Sequence, residues 1–465
     1  MSLAVFVAIT GFQLFGPVPI GLADNGDFAR ILGPLALWPA AAARDDPRTH
    51  FKYFVNDYVV AYPRYDPGIP SSEWLVAALA KRIARIILRA GTFHLALMGL
   101  VHAAVMTLAL FILLHALRSR PFWLRCICSL LILFIWTDIK YVQQFNTAYT
   151  DAGAVVALAV LFSIMIYCEL VTADAWAAAL VFVLFGCFLL TTKTQHETAL
   201  PFLIGFCVLA VVRARHKFAR TIWLGVPVLL IGTSVWMLSE TPREYRAAPA
   251  FTLIFYKLAV LSTDPKGVLQ DFRMPEDEFL KYVGHFAYEP QVPIEDPAFR
   301  RRLVSLVTPS TLGKFYLHHP AILKKVLLLD LIVWAPDVKL SEYGHLLESD
   351  VQSGKLPFEL VAWSWVGRHA LVASPFSLIS FFGAVVVLSG VCILSRRIAA
   401  WFPIWPITLL LAFLAIASFL FASLTDAVET SRHLVFFQAA TDLTIFSMVL
   451  SALLGIDNRG SPHHS

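Results

Sequence analysis

The chain has 465 residues, of which 58% are hydrophobic and only 15% are charged. Typical soluble domains carry roughly 25% charged residues, so this composition excludes a soluble globular enzyme and indicates a protein that crosses a membrane several times. The formal net charge is +5. This charge does not indicate nucleic-acid binding, because the basic residues lie between apolar stretches, where they set the topology or contact lipid phosphates.

Ten apolar stretches are spaced along the chain, each near the length of about 20 residues that a membrane-spanning helix needs. They cover residues 2–20, 93–117, 122–139, 152–170, 175–192, 199–212, 222–238, 376–394, 404–424 and 434–454. The first stretch lacks the basic start and the cleavage site of a removed signal, so we expect it to be retained. We therefore predict an all-α polytopic membrane protein with about ten transmembrane helices.

The apolar stretches divide the chain into three parts. An N-terminal transmembrane core covers residues 1–238 and includes a first outer loop, residues 21–91. Residues 239–374 form a large second outer loop, whose scattered prolines and short apolar runs, such as residues 251–261, predict short interfacial helices. Residues 375–465 hold the last membrane helices and a tail.

Clusters of arginine and lysine predict the orientation of the chain. The clusters are Arg118, Arg120 and Arg125; Arg213, Arg215, Lys217 and Arg220; and Arg396 and Arg397. With ten spans, all three clusters lie on one side, which the positive-inside rule makes cytoplasmic. We thus predict that both termini are cytoplasmic and that the two large loops lie on the outer face of the cytoplasmic membrane.

The first outer loop ends in a stretch with helical periodicity, residues 73–89. Lys81, Arg85 and Arg89 recur every four residues, so they share one face of a helix. A helix of this kind lies in the membrane surface with its cations towards the lipid headgroups. The alternative for Lys81 and Arg85 is contact with the phosphate of a bound substrate.

Polar residues gather where four of the predicted helices meet the outer face. They are Asp24 and Asp27 after the first helix, Tyr149 and Asp151 before the fourth, Lys193 and His196 after the fifth, and Arg432 and His433 before the last. A single loop charge is usually only solvated, but these four segments share a face and would line one cavity. A carboxylate there can act as a general base. Lys193 offers a compact charge for a phosphate, and Arg432 offers two donors at once.

These segments resemble the motifs of the GT-C superfamily, polytopic glycosyltransferases that use polyprenyl-phosphate-linked sugars. Asp24-Asn25-Gly26-Asp27-Phe28-Ala29 resembles the acidic motif that such enzymes carry after the first helix. Thr192-Lys193-Thr194, with Pro201, is similar to their Thr-Lys-Gly motif, and Asp151 to an acid before the fourth span. The chain looks in particular like the bacterial lipid-phosphosugar transferases that modify surface glycans or lipid A.

The resemblance implies an inverting hexosyl- or pentosyltransferase that moves a sugar from polyprenyl phosphate to a surface glycan or lipid acceptor. Asp24 as first choice, or Asp27, would accept the proton of the acceptor hydroxyl. Lys193 and Arg432, with Lys81 and Arg85, would bind the donor phosphate. The remaining candidates would contact the substrate: Tyr149, Asp151, His196 and His433.

No cofactor is certain from the sequence. A divalent ion, Mg²⁺ or Mn²⁺, that bridges Asp24, Asp151 and the phosphate is a minority alternative, since carboxylate and phosphate oxygens suit such cations. The expected partners are the polyprenyl-phosphate-linked sugar, the glycan or lipid acceptor and membrane lipids, but no nucleic acid.

Two other functions compete with the transferase. A lipid-linked oligosaccharide polymerase or ligase would need arginine-rich loops at the outer face, for which Arg300-Arg301-Arg302 is the candidate run. A polyprenyl-lipid flippase or transporter would need paired charges near mid-bilayer and broken helices at matched positions. The gathering of charge at the outer helix ends favours the transferase.

Aromatic and intramembrane polar residues complete the candidates. Trp334, Tyr343, Trp363 and Trp365 would stack on sugar rings, although membrane interfaces are also rich in such residues. His102, His115 and Asp442 lie within predicted spans and have no visible partner. We expect each to make one buried hydrogen bond and assign it no role.

Overall fold

The computed structural model describes residues 1–17, 20–24, 27–40, 53–54, 56–61, 68–87, 92–334, 362–367, 374–427 and 430–460. It is mostly helical, and each of the ten predicted apolar stretches contains a helix. The predicted fold class, an all-α polytopic membrane protein, is therefore confirmed.

Helices in the first half of the chain form most of the membrane bundle. They are α1 (Ser2–Phe15), α2 (Ala29–Leu32), α3 (Glu73–Ile87), α4 (Ala96–Ala116), α5 (Phe122–Trp136), α6 (Ile139–Phe145), α7 (Thr150–Leu170), α8 (Trp176–Thr192), α9 (Leu200–Arg213) and α10 (Lys217–Glu240). A 3-10 turn, Thr194–Ala199, leads from α8 into α9.

The second half holds the helices of the second outer loop and of the C-terminal part. Those of the loop are α11 (Ala247–Phe251), α12 (Ala259–Leu261), α13 (Pro265–Asp271), α14 (Glu276–Phe279), α15 (Pro297–Leu306), α16 (Pro309–His318) and α17 (Pro320–Leu329). Those of the C-terminal part are α18 (Pro375–Leu394), α19 (Arg396–Ala399), α20 (Trp405–Thr425), α21 (Thr430–His433) and α22 (Val435–Gly460). A π-helical turn, Thr252–Leu258, joins α11 to α12, and another, Asp330–Trp334, follows α17.

Seven helices of the described chain are long and apolar enough to cross a membrane. The pair α5 and α6, bent by 60° at its break, makes an eighth if it is counted as one span. Helices α1 and α8 are apolar but have only 14 and 17 residues, which is at or below the lower limit for a span. The protein is thus a multi-pass membrane protein, and the count of ten spans stays a prediction.

Helix α7 lies at the centre of the bundle. Nearly all of its residues are buried, and it packs against α4, α8 and α22. The outer helices α10 and α18 instead expose large apolar side chains, among them Val228, Leu229 and Val387. Such faces suit the hydrocarbon of a bilayer, while the helical backbone satisfies its own hydrogen bonds.

Two small antiparallel sheets, which the sequence analysis did not predict, are formed by the first outer loop and the three residues that follow it. Their strands are β1 (Ala23–Asp24), β2 (Leu37–Pro39), β3 (Tyr53–Phe54), β4 (Asp57–Val60) and β5 (Thr92–His94). Strand β1 pairs with β3, and the second sheet has the order β2, β4, β5. In this sheet Tyr58 is buried edge-on against Phe93, with ring centroids 6.2 Å apart. Aromatic cross-strand pairs of this kind stabilise a short sheet.

The short helices of the second outer loop surround a core of their own. Neighbouring aromatic rings in it have centroids 4.5 to 6.3 Å apart, and they belong to Phe251, Phe255, Phe279, Tyr282 and Phe299. The apolar run 251–261, which we expected to be interfacial, forms the centre of this core. It is buried because rings from α14 and α15 cover it.

A buried pair fastens α3, in the first outer loop, to α4 of the bundle. His102 Nε2 lies 2.8 Å from Glu73 Oε1, and His102 Nδ1 lies 2.9 Å from the Phe145 carbonyl oxygen. The side chains of His102 and Glu73 are 2% and 0% exposed. His102 therefore makes two buried contacts instead of the one expected. Its partner was not visible in the sequence because Glu73 lies 29 residues earlier.

We expect His102→Leu to lower the free energy of unfolding by roughly 3–5 kcal/mol, because it leaves Glu73 buried without its partner. His115→Leu is the matched control on the same helix, since His115 is half-buried and contacts the exposed Arg118. Its effect should stay below about 1 kcal/mol. Reversible unfolding in mixed detergent micelles measures both variants. Equal effects of the two substitutions would contradict the role of the pair.

Candidate functional site

Asn146 joins the end of α1 to the end of α6 and fixes where the acidic loop begins. Its Nδ2 donates to the carbonyl oxygens of Leu14 at 3.0 Å and Ile20 at 2.9 Å, and the Leu22 N–H donates to the Asn146 carbonyl. Gly21 has a φ of +98°, and a Cβ added there would lie 2.6 Å from Asn146 Cβ. Only glycine accepts both the conformation and the close approach.

The four polar segments, which start from different helix ends, line one cavity of about 580 Å³, its open mouth included. They contribute Asp27, Tyr149, Asp151, Lys193 and Arg432 to its wall. Arg30 and Tyr245 also line it. Within the described chain, the cavity wall therefore carries three basic and two acidic side chains. This net positive charge suits an anionic ligand.

Asp27 lies between two arginines. Arg432 Nη2 donates to Asp27 Oδ2 at 2.8 Å, and Arg30 Nη2 lies 3.2 Å from Asp27 Oδ1. The side chain of Asp27 is 23% exposed, whereas that of Arg432 is only 7% exposed. The carboxylate therefore faces the cavity, and the guanidinium of Arg432 is buried in its wall.

The neighbouring arginines keep Asp27 ionised. Burial raises the pKa of Asp27, but the positive charges of Arg432 and Arg30 outweigh burial and lower the pKa to about 2. At neutral pH this side chain is therefore a carboxylate that can accept a hydrogen bond or a proton. It is a weak base as long as Arg432 holds it.

Lys193 and Asp151 form the other side of the cavity. Lys193 has an extended backbone (φ −159°, ψ 145°) between α8 and the following 3-10 turn, and Asp151 lies in the first turn of α7. Burial lowers the pKa of Lys193, and the charge of Asp151 opposes part of this shift. An ammonium group removed from water gains from an anion within reach, because little solvent screens the interaction.

Arg432 connects both sides of the cavity. Besides its bond to Asp27, its Nε lies 3.9 Å from Asp151 Oδ2. Its guanidinium carbon lies 4.5 Å from the centre of the Tyr149 ring. Stacking on an aromatic face leaves the edge of a guanidinium available for oxygen atoms. Arg432 is thus the cation through which Asp27 and Asp151 are linked.

Asp24, the first choice for the base, is not among the described residues that line the cavity. Its Oδ1 accepts a hydrogen bond from the Phe28 N–H at 3.2 Å, and its backbone lies opposite Tyr53 in the β1–β3 sheet. Asp24 thus stabilises the turn that leads into α2, while Asp27 lines the cavity. This geometry favours Asp27 over Asp24 as the candidate base, and the choice between them stays a prediction.

His196 and His433 are buried behind the cavity wall. His196 Nδ1 lies 2.6 Å from Thr192 Oγ1, and its ring packs against Phe436. His433 contacts Asp426, and the Gln195 side chain donates to the His433 carbonyl oxygen at 3.1 Å. Both histidines thus support the segments that carry Lys193 and Arg432, and their contact with a substrate stays a prediction.

Lys81 and Arg85 are not brought to the cavity. They lie on α3, so the predicted helix is confirmed. The cavity is lined by Ser71, which lies just before the first turn of α3. Arg85 is exposed and lies roughly 18 Å along the helix from Glu73. The Lys81 ammonium donates to the Leu35 carbonyl oxygen. Their contact with lipid headgroups stays a prediction.

Among the further residues of the cavity wall, Arg30 and Tyr245 were not among the candidates. Arg30 follows Asp27 by three residues, a spacing that brings side chains together at the start of a helix. This signal was present in the sequence. Tyr245 accepts a hydrogen bond from Arg30 Nη1 at 3.2 Å and comes from the second outer loop. Nothing in the sequence separates it from other loop tyrosines.

The residues present do not fit the divalent ion that was a minority alternative. Asp24 lies outside the cavity wall, and Asp151 already faces two cations, Arg432 and Lys193. In the described chain, no three His, Cys, Asp or Glu side chains are grouped so that they could hold a metal ion.

Of the four expected sugar-stacking residues, the two whose side chains the structure describes, Trp363 and Trp365, are not part of the cavity wall. Trp363 is buried against Phe134, with ring centroids 5.8 Å apart, and Trp365 is exposed. The side chain of Trp334 and the whole of Tyr343 lie outside the described residues.

These features define a polytopic membrane protein with a charged cavity at one end of its helix bundle. Comparison with known families assigns it further: the chain belongs to the family described as the YfdI N-terminal transmembrane domain, whose model matches residues 1–455. No curated protein matches the chain, and no solved structure matches it. The resemblance to GT-C glycosyltransferases stays a prediction.

The pair of Asp27 and Arg432 predicts energetic coupling between residues 405 positions apart. Asp27→Asn and Arg432→Gln should show a coupling energy of roughly 0.5–3 kcal/mol in a double-mutant cycle of unfolding free energies. Arg213 pairs with Glu169 elsewhere in the bundle, so the combination of Asp27→Asn with Arg213→Gln is the control. The effects of these two substitutions on the unfolding free energy should be additive. Additive effects of the first combination would show that the pair does not contribute to stability.

Proposed function

We propose that this protein is an inverting glycosyltransferase that moves a sugar from polyprenyl phosphate to a glycan or lipid acceptor. The observation that carries the proposal is the cavity in which a carboxylate, Asp27, lies against a buried cation, Arg432, with Lys193 beside them. Transfer from a phosphosugar needs a base for the acceptor hydroxyl and positive charge for the leaving phosphate. Both are present within one cavity of a membrane bundle.

In the proposed reaction, the oxygen of the acceptor hydroxyl attacks the anomeric carbon of the donor sugar. Asp27 accepts the hydroxyl proton as the new carbon–oxygen bond forms. The bond between the anomeric carbon and the phosphate oxygen breaks on the opposite side, so the configuration inverts. The bonding electrons stay with polyprenyl phosphate, whose growing negative charge Lys193 and Arg432 stabilise.

The contacts of Arg432 suggest how Asp27 becomes a better base. Arg432 and Arg30 together hold the pKa of Asp27 at about 2. A donor phosphate bound to Arg432 would compete with Asp27 for the same guanidinium and add negative charge nearby. Both effects raise the pKa of Asp27 towards its ordinary value, which strengthens it as a base when the substrate is in place.

We place the cavity on the extracytoplasmic face of the cytoplasmic membrane. Helices α7 and α22 begin at the cavity, whose wall includes Asp151 and Arg432. They end at basic partners: Glu169 pairs with Arg213 at 2.6 Å, and Asp457 pairs with Arg120 at 3.3 Å. Two of the three basic clusters, those of Arg120 and Arg213, thus lie at the opposite end of the bundle, which the positive-inside rule makes cytoplasmic.

The polymerase or ligase alternative is less well supported. Its candidate run, residues 300–302, lies on α15 and is not part of the described cavity wall. Arg302 makes two contacts of 2.7 Å with the carboxylate of Glu278. These arginines therefore belong to the surface of the second outer loop.

The bent helix pair is the observation that favours a transporter. Lys140 of α6 donates to Asp442 of α22 at 2.8 Å, and both are buried. Asp442 lies roughly 10 Å along α22 from its start, between the cavity end and the middle of the helix. The charges of Lys140 and Asp442 compensate each other. A transporter would need broken helices at two matched positions, whereas the described chain has one bent helix pair. The transferase therefore remains the better account.

We expect Asp27→Asn to lower the rate of sugar transfer by roughly 100-fold or more, because the general base is lost. Asp24→Asn, the same substitution three residues earlier, should keep activity within a few-fold of the unmutated protein, since its amide oxygen can still accept the Phe28 hydrogen bond. Transfer is measured with purified protein and labelled polyprenyl-phosphate sugars.

The unmutated protein is first screened against several donor sugars. Near-normal activity of Asp27→Asn, with the protein still folded, would refute the assignment of the base. If no donor supports transfer by the unmutated protein, the proposed function itself fails.

A further inference from the structure

We infer that Lys257, in the core of the second outer loop, is a positioning residue for Arg432. This inference rests on the proposed function, because it concerns the cation that we assign to the donor phosphate. It assigns a role in the reaction to a side chain that is not part of the described cavity wall.

Lys257 is buried in the π-helical turn of the outer-loop core, and its ammonium group makes three hydrogen bonds. It donates to Asp330 Oδ2 at 2.8 Å, to the Ser423 carbonyl at 3.1 Å and to the Asp426 carbonyl at 2.9 Å. An ammonium has three donors, so its capacity is fully used. Asp330 compensates its charge, and both side chains are nearly inaccessible, at 6% and 0% exposed.

The carbonyl groups that Lys257 binds belong to the C-terminal end of α20. The last carbonyl groups of a helix have no partner within it and carry the negative end of its dipole, so a cation there is stabilising. A second donor comes from the same outer-loop core: Tyr316 Oη donates to the Leu424 carbonyl at 3.1 Å. Two buried side chains of the second outer loop thus hold the end of α20.

The end of α20 is in turn connected to Arg432. The side chain of Asp426, whose carbonyl Lys257 binds, contacts His433, the neighbour of Arg432. Gln195, beside Lys193, donates to the His433 carbonyl oxygen. Arg432 is therefore placed by contacts on two sides, one from the Lys193 segment and one from the outer-loop core. Without the contacts from the outer-loop core, the guanidinium of Arg432 would lose part of the fixed position that phosphate binding needs.

The test replaces the buried pair by apolar residues of similar size, Lys257→Met with Asp330→Leu, because such replacements often leave stability unchanged. We expect kcat/KM for the polyprenyl-phosphate sugar to fall about 10-fold, which corresponds to about 1.4 kcal/mol, while KM for the acceptor stays unchanged. Tyr316→Phe removes a single hydroxyl, so it should lower kcat/KM for the polyprenyl-phosphate sugar by less than the double variant does. Lys325→Met is the control, since the exposed Lys325 donates to the Leu261 carbonyl oxygen and not to a carbonyl group of α20.

Hydrogen exchange of the backbone amides of residues 432–434 gives a second reading that does not depend on activity. Exchange should be faster in the double variant and in Tyr316→Phe than in the unmutated protein or in Lys325→Met. Unchanged exchange in Tyr316→Phe and in a folded double variant would overturn the inference. If exchange is faster in these variants but the unmutated protein transfers no sugar, the proposed function is refuted. The structural connection between Lys257 and Arg432 would still hold.

Discussion

The ion pair between Asp27 and Arg432 is the contact on which the rest of the cavity depends. It joins the first outer loop to the turn before the last helix, and it lies where solvent is restricted. A buried charge is tolerated only if an opposite charge compensates it. Arg30, Asp151 and Lys193 extend the pair, so each charge of the cavity has a neighbour of opposite sign.

The pairing of each charge with a neighbour of opposite sign also explains how the cavity would accept a ligand. Two carboxylates hold three cations, so an added anion meets a net positive wall. A phosphate that binds Arg432 and Lys193 replaces carboxylate contacts with its own and needs little rearrangement of the surrounding helices. Buried contacts outside the cavity join those helices to one another: those of Asn146, and the pairs of Glu73 with His102 and of Lys140 with Asp442.

Much of the fold and part of the site were predictable from the sequence. Every apolar stretch became a helix because a run of about 20 apolar residues has few other stable states in a membrane. The meeting of the four polar segments followed from the same reasoning, since loops on one side of a bundle lie close together. The resemblance to known motifs indicated Asp151 and Lys193, which do line the cavity.

The sequence could not decide between Asp24 and Asp27, because that choice depends on the pairing of a two-residue strand and on the turn that follows it. The partners of His102 and Asp442 were equally hidden, since they lie on elements whose packing is fixed only in three dimensions. The core of the second outer loop was missed for a related reason. Its apolar run, residues 251–261, was too short to classify without the rings that cover it.

An experimental structure with a polyprenyl-phosphate sugar bound would show whether this cavity binds the donor phosphate. We expect phosphate oxygens within hydrogen-bonding distance of Lys193 and Arg432, with the anomeric carbon on the side of Asp27. A donor bound at a different surface, or a phosphate in the cavity that contacts neither cation, would contradict it.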